Sequence, residues 1–230
     1  MSPELPEDPR VLSGAELADV PASWPVTRTE VLGEGQIARF LADDVQTPDG
    51  GSMTREYLRH PGAVVVIALD DHDRVVLVRQ YRHAVRHRLL EPPAGLLDVA
   101  GEDYLAAAQR ELAEEVGLAA GRWNVLVDVF STPGIMGEAL RVYLARDLTA
   151  VRPPDGFTKV DEEAEMDVVW AQLDDLVEAV LDGRVHNPNV VYGVLAAAWA
   201  RDHDDFAGLR PADAPWPARE ALLAAGGLTS

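Results

Sequence analysis

Four charged side chains crowd one short stretch, Arg110-Glu111-Leu112-Ala113-Glu114-Glu115, directly before Val116 and Gly117. Leu105, Ala108, Leu112 and Val116 recur at helical spacing, which predicts a helix over Tyr104–Val116, those four buried and Gly117 ending it. Arg110, Glu111, Glu114 and Glu115 then share the opposite arc. Glu111 and Glu115 stand one turn apart, a like-charge pair costing roughly a few tenths of a kcal/mol. Glu114 and Glu115 occupy the last turn, where the helix dipole disfavours anions by roughly 0.3–1 kcal/mol each. Arg110 to Glu114 runs in the weaker i,i+4 order. Stability rules are broken three ways at one helix end, and such conflicts gather at functional sites. A merely solvated acidic face is the bland alternative. A hard divalent cation, Mg²⁺ or Mn²⁺, reverses the sign of the argument, because clustered carboxylate oxygens are its preferred ligands. Calcium-loop and zinc-type histidine spacings are absent.

The elements that must position this face are short strands and scattered helices. Residues 1–25 are rich in Pro and acids and read as a flexible tail with a short helix at Gly14–Asp19. Residues 26–60 hold extended segments at Glu30–Leu32, Ile37–Val45 and Ser52–Leu58. The last two are joined by Pro48-Asp49-Gly50-Gly51, a hairpin turn because Pro presets φ and Gly accepts positive φ. Ala63–Leu69 and Val75–Arg79 read as a second hairpin. Strands are expected at Trp123–Phe130, Leu140–Ala145 and Asp167–Ala171. Helices are expected at Leu173–Leu181 and at Pro188–His203, the latter capped by Asn187. Residues 211–230 return to Pro, Ala and Gly and read as a C-terminal tail. This order is that of an α+β fold with a mixed sheet.

The chain has 230 residues, with 39 acids against 20 bases, a formal charge of −19 that opposes affinity for nucleic acid or anionic lipid. It has no cysteine, which removes disulfides, zinc-thiolate sites and thiol nucleophiles. No apolar run approaches the roughly 18 residues of a membrane helix, and Met1–Arg10 lacks the features of a signal peptide. A cytoplasmic location is expected.

Gly95, Glu102 and Arg110-Glu111-Leu112-Ala113-Glu114-Glu115-Val116-Gly117-Leu118 together resemble the signature of Nudix hydrolases, which cleave nucleoside diphosphates linked to another group. From Glu102 to Leu118 the match is complete. Between Gly95 and Glu102 the chain carries one residue more than the family usually does. The resemblance implies an α/β/α sandwich with a mixed β-sheet over 61–210, preceded by a small antiparallel sheet over 26–60 that two subunits of a homodimer exchange. It implies Glu111 and Glu115 as the principal metal ligands and Glu114 as a further one. It also implies Arg110 as the residue orienting a neighbouring carboxylate, and the Ala94 carbonyl as an added ligand.

Three further stretches resemble the ADP-ribose pyrophosphatase branch. Pro133, followed by Gly134, lies 16 residues beyond Gly117. Gln80-Tyr81-Arg82 precedes Glu91-Pro92-Pro93-Ala94-Gly95, with Pro92 where a bulky apolar residue is usual. Thr54-Arg55-Glu56 is similar to an arginine-bearing strand exchanged in those dimers. Arg55, Arg82, Glu91, Pro133 and Gly134 are therefore the expected substrate-binding residues. Arg79, Arg82, Arg86 and Arg88, clustered within ten residues of an acidic chain, suit a ligand bearing phosphates and a terminal ribose. His83 and His87 read as surface residues.

The implied chemistry is in-line attack of water on a pyrophosphate phosphorus with Mg²⁺ as cofactor, Mn²⁺ serving in its place, ADP-ribose giving AMP and ribose 5-phosphate. The general base is expected in the acidic loop 155–165, Glu163 first and Glu162 second, with Glu114 next if the base lies on the helix. GDP-mannose or another nucleoside diphosphate sugar is the alternative substrate. A non-catalytic ADP-ribose sensor is the alternative of another class, opposed by the intact acidic helix and the lack of a basic C-terminal module.

Overall fold

The computed structural model describes residues 10–152 and 166–226. After a 3-10 turn at Gly14–Glu16, the chain builds strands β1 (Val26–Glu34), β2 (Arg39–Gln46) and β3 (Ser52–Arg59). Strands β4 (Ala63–Ala68), β5 (Arg74–Arg82), β6 (His87–Glu91) and β7 (Ala94–Leu96) precede helix α1 (Tyr104–Val116). Then come β8 (Leu118–Phe130), β9 (Met136–Gly137), β10 (Ala139–Ala150), β11 (Asp167–Gln172), α2 (Leu173–Leu181), α3 (Pro188–Asp204), β12 (Arg210–Pro211) and α4 (Pro217–Ala224).

The central sheet has the order β12-β8-β10-β4-β7, with β10 and β4 parallel and the other pairs antiparallel. Strand β4 shows why it lies at the centre. Its six residues, Ala-Val-Val-Val-Ile-Ala, are all buried, as a strand covered on both faces requires. Side chains alternate across a strand, and the core divides accordingly. Val65, Ile67 and Leu69 pack with Leu173, Leu176, Val190 and Val194 of α2 and α3, while Val64, Val66 and Ala68 pack with Ala107, Ala108 and Leu112 of α1. The result is a mixed sheet between helices, the α+β sandwich expected.

A second sheet, β11-β5-β6, and a third, β1-β2-β3-β9, complete the fold. The β2–β3 hairpin turns through Thr47–Gly51, where Gly50 takes φ +84° and the Thr47 and Gly51 backbones pair. All nine residues of β1 are exposed.

Three expectations are corrected. Ala63–Leu69 and Val75–Arg79 do not form a hairpin ladder: a single bridge, Leu69 to Val75, joins them before β4 and β5 diverge into different sheets. Each strand is instead paired along both edges by other strands, β4 by β10 and β7 and β5 by β11 and β6, which leaves no edge for a ladder between them. Residues 211–230 are not a tail as far as the structure describes them. Trp216, only 2% exposed, is stacked by the Arg141 guanidinium at 4.7 Å and the Arg219 guanidinium at 5.4 Å, and Arg219 donates to the Pro61 carbonyl at 2.7 Å. Two cation–π contacts and a buried indole thus anchor α4 on the domain. The short helix expected at Gly14–Asp19 is shorter still, a single 3-10 turn.

Candidate active site

Helix α1 carries the acidic face as a well-terminated element. The Asp103 carboxylate caps its start, accepting from the amides of Leu105 at 2.9 Å and Ala106 at 3.1 Å. Gly117 ends it in the left-handed region at φ 67°, its amide donating to the Ala113 and Leu112 carbonyls. Ala108 and Leu112 are fully buried against the central sheet, while Glu111 and Glu115 touch β7.

Arg110 resolves the repulsion that the sequence pattern poses. Its guanidinium grips Glu102 in bidentate fashion at 3.0 and 3.1 Å and reaches Glu111 at 2.7 Å and Glu114 at 3.1 Å. One cation is shared by three carboxylates, and hydrogen bonding to Glu102 is the leading reason its pKa rises further. Arg110 thus pairs with three acids, more than the single carboxylate expected. Glu102 reaches Arg110 from the loop between β7 and the helix cap, despite the extra residue after Gly95.

Glu111 packs directly on Gly95: a Cβ there would lie 2.0 Å from Glu111 Oε1. Glu115 accepts from the Ala94 amide at 3.2 Å. The strand of Ala94 and Gly95 and the acidic helix face are therefore in contact, as the two halves of the signature require. Burial raises the pKa of Glu111, with Glu114 and Glu102 adding to the effect and Arg110 opposing it.

Among the described residues no three acidic or histidine side chains form a preformed cation cage, since Arg110 is inserted among Glu102, Glu111 and Glu114. The donor set still fits a hard divalent cation. It offers only oxygen ligands, and a partly desolvated Glu111 carboxylate is a group whose charge a cation stabilises.

The expected substrate residues fall in two groups. Arg82 of β5 reaches along the ladder to Glu91 of β6, whose register partner is Val78, and donates to both Glu91 oxygens at 2.6 to 3.2 Å, with the Glu91 residue only 5% exposed. Arg55, Pro133 and Gly134 line a cleft of about 620 Å³ with Arg59, Phe130 and Leu222. The turn that presents Pro133 and Gly134 is closed by the Ile135 and Met136 amides, both donating to the Thr132 carbonyl. Glu162 and Glu163 lie outside the described residues. His83 and His87 are exposed, as expected. The sequence reading missed Asp103 as helix cap, although an Asp just before the first periodic residue is the ordinary signal.

Sandwich, acidic helix and strand of Ala94 place the molecule in a defined class. A model of the NUDIX domain matches residues 58–192, and the chain belongs to the Nudix hydrolase family. It is 43% identical over 197 residues to an ADP-ribose pyrophosphatase of Mycobacterium tuberculosis, covering 86% of this chain and 93% of that protein. An ADP-ribose pyrophosphatase of Bacillus subtilis is 30% identical over 165 residues, 72% of this chain and 87% of that protein. A GDP-mannose pyrophosphatase of Klebsiella pneumoniae is 29% identical over 176 residues, 72% of this chain and 87% of that protein. The crystal structure of an ADP compounds hydrolase superposes with a TM-score of 0.67 at 21% identity, covering 82% of this chain and all of that one, and so shares the fold.

Proposed function

We propose that this Nudix hydrolase cleaves the pyrophosphate bond of ADP-ribose to AMP and ribose 5-phosphate, with Mg²⁺ as metal and Mn²⁺ able to replace it. The observation that carries the reading is the docking of Glu111 and Glu115 on Ala94–Gly95, with Arg110 holding the adjoining acids. Glu111, Glu115 and the Ala94 carbonyl would hold the metal, with Glu114 as a further ligand. So placed, the metal supplies charge neutralisation to the pyrophosphate and acidity to the attacking water. Arg110 keeps the carboxylates in register and loses that role if any of its three partners turns away. Arg82, fixed by Glu91, offers a guanidinium to phosphate or ribose oxygens. Glu163 takes the water proton in this reading, with Glu162 the neighbouring candidate and Glu114 the next.

The substrate is a small nucleoside diphosphate sugar rather than nucleic acid, in keeping with the charge of −19. No helix among the described residues is long and apolar enough to cross a membrane. The functional unit we propose is a homodimer joined through the 26–60 sheet. The fully exposed β1 supports it, because a sheet without a covering layer gains stability only from a partner surface. Sedimentation at monomer mass with full activity would refute the dimer.

The second reading, GDP-mannose hydrolysis, draws on the GDP-mannose pyrophosphatase relatives. Initial rates with Mg²⁺ on ADP-ribose, GDP-mannose, NADH, diadenosine polyphosphates and 8-oxo-dGTP decide between them. ADP-ribose should give the highest kcat/KM, and a tenfold preference for GDP-mannose would move the assignment.

A further inference from the structure

A half-buried polar cluster lies outside the acidic helix and beside the cleft of Arg55 and Pro133. Glu138 stands at its centre. One carboxylate oxygen lies 2.8 Å from His60 Nδ1, and the other accepts from the Ser131 hydroxyl. The side chains of His60 and Glu138 are 13% and 15% exposed. Two lone pairs cannot face each other at 2.8 Å, so a proton is shared between Nδ1 and the carboxylate, and the contact is a charge-assisted hydrogen bond.

The place of this cluster in the chain gives it consequence. Leu58 pairs with Met136 and Arg59 with Gly137 where β3 meets β9, and the Leu58 amide donates to the Ile135 carbonyl at 2.8 Å. His60 and Glu138 are the next residues along both strands, so their contact continues the register by side chains after the ladder ends. Ser131 and Glu138 also bracket the loop that carries Pro133 and Gly134, and the Ser131 amide approaches the Glu138 carbonyl at 3.4 Å. One carboxylate therefore ties both ends of that loop to each other and to the strand that bears Arg55 and Arg59. Burial works against the charged carboxylate, yet hydrogen bonds from His60 and Ser131 hold its pKa below the ordinary carboxylate range. The interaction is stronger than its desolvation.

We propose that Glu138, held by His60 and Ser131, is a positioning residue that locks the 131–138 loop on β3, setting the cleft of Arg55, Pro133 and Gly134 for a nucleoside diphosphate sugar. This rests on the functional reading above for the nature of the ligand. It assigns to His60 and Ser131 a part in substrate affinity without contact with the reacting atoms. The acidic helix is not involved, so metal use is unaffected.

The test compares His60→Ala, His60→Asn, Ser131→Ala and Glu138→Gln with the wild type. Three readouts are taken: KM and kcat on ADP-ribose, the calorimetric Kd for ADP-ribose in EDTA, and hydrogen exchange of the 131–138 amides. His60→Ala and Glu138→Gln should raise KM and Kd by about ten- to a hundredfold, the scale of a hydrogen bond to a charged group. Exchange at Ile135 and Met136 should quicken, while the Mg²⁺ concentration for half-maximal rate stays as in the wild type. His60→Asn should recover most of the affinity, because its amide nitrogen falls near the place of Nδ1. Ser131→Ala, which removes one hydroxyl and no charge, serves where a larger change fails to fold and should show the same pattern more weakly. A lower melting temperature with unchanged KM and Kd would overturn the proposal, as would lost affinity with an undisturbed loop, which would make Glu138 a direct ligand. Absence of ADP-ribose binding to the wild type would also overturn it. A wild type that binds ADP-ribose but cleaves nothing in the panel, with the variants weakened as expected, would sink the enzymatic reading and leave this one standing.

Discussion

Gly95→Ala separates catalysis from stability at one methyl group. The added Cβ would meet Glu111 Oε1 at 2.0 Å, Cδ at 2.2 Å and Cγ at 2.3 Å, whereas ordinary contact begins at 3.4 Å. The carboxylate must therefore retreat by about 1.4 Å, the difference between those two distances. Gly95 does not lie in the left-handed region, so the substitution adds no backbone strain. The clash runs from Oε1 back to Cγ, so the whole Glu111 side chain past Cβ must swing aside, at a cost of at least about 0.5–1.5 kcal/mol of off-rotamer strain. At about 2–4 °C per kcal/mol for a chain of this size, the melting temperature in EDTA should fall by a few degrees. Catalysis should suffer far more. Misplacing a group by about 1 Å costs about a hundredfold, and Glu111 is the proposed metal ligand nearest the strand. The assay pairs thermal melts in EDTA with kcat across a Mg²⁺ titration. Gly193→Ala is the control with the opposite signature, since its Cβ would meet Ile67 Cδ1 at 2.6 Å inside the core. It should lose about 1–3 kcal/mol of stability with kcat per folded molecule unchanged. A Gly95→Ala enzyme with wild-type kcat and Mg²⁺ requirement would refute the assignment of Glu111.

Two further substitutions probe the same chemistry. Burial raises the Glu111 pKa above its unfolded value, so this group favours the fold as pH falls through the raised value and opposes it, charged, at neutral pH. Glu111→Gln should leave the metal-free melting temperature at pH 7 equal or higher while kcat drops at least about a hundredfold; a large loss of stability would contradict the burial argument. Glu163→Gln should lower kcat by about 10²–10⁴ with the Mg²⁺ requirement little changed, and Glu162→Gln should be mild; the reverse order would shift the base by one residue, and two active variants would pass the role to Glu114.

How far the sequence reached depends on the range of the forces involved. Helices Tyr104–Val116 and Leu173–Leu181 match the expected bounds, and Asn187 caps α3 through Val190 as expected, because periodicity and caps are local. The acidic face of α1 was legible for the same reason. The wrong hairpin at Leu69–Val75 and the misjudged C-terminus share a cause. Val-rich strands state that they are buried but not by what, and Trp216 anchors α4 in part through Arg141, a partner far away in sequence. Arg110 shows the limit within the site. Its pairing with Glu114 was visible at helical spacing, whereas its bidentate hold on Glu102 depends on a loop that bends back toward the helix. The His60–Glu138 contact gave no signal at all, since neither residue type nor spacing marks it.

The parallel pairing of β4 with β10 governs how this chain can be made. One edge of β4 is closed by β7, soon after it in the chain, but the other waits for Leu140–Ala145, and β5 waits in the same way for β11. During synthesis the Ala-Val-Val-Val-Ile-Ala segment leaves the ribosome well before its parallel neighbour exists. Long-range pairing of this kind slows folding, and an apolar strand with an open edge is a template for association between nascent chains. Expression at lower temperature, or with chaperones that shield extended apolar segments, should therefore increase the recovered soluble fraction without any change in the stability of the finished fold.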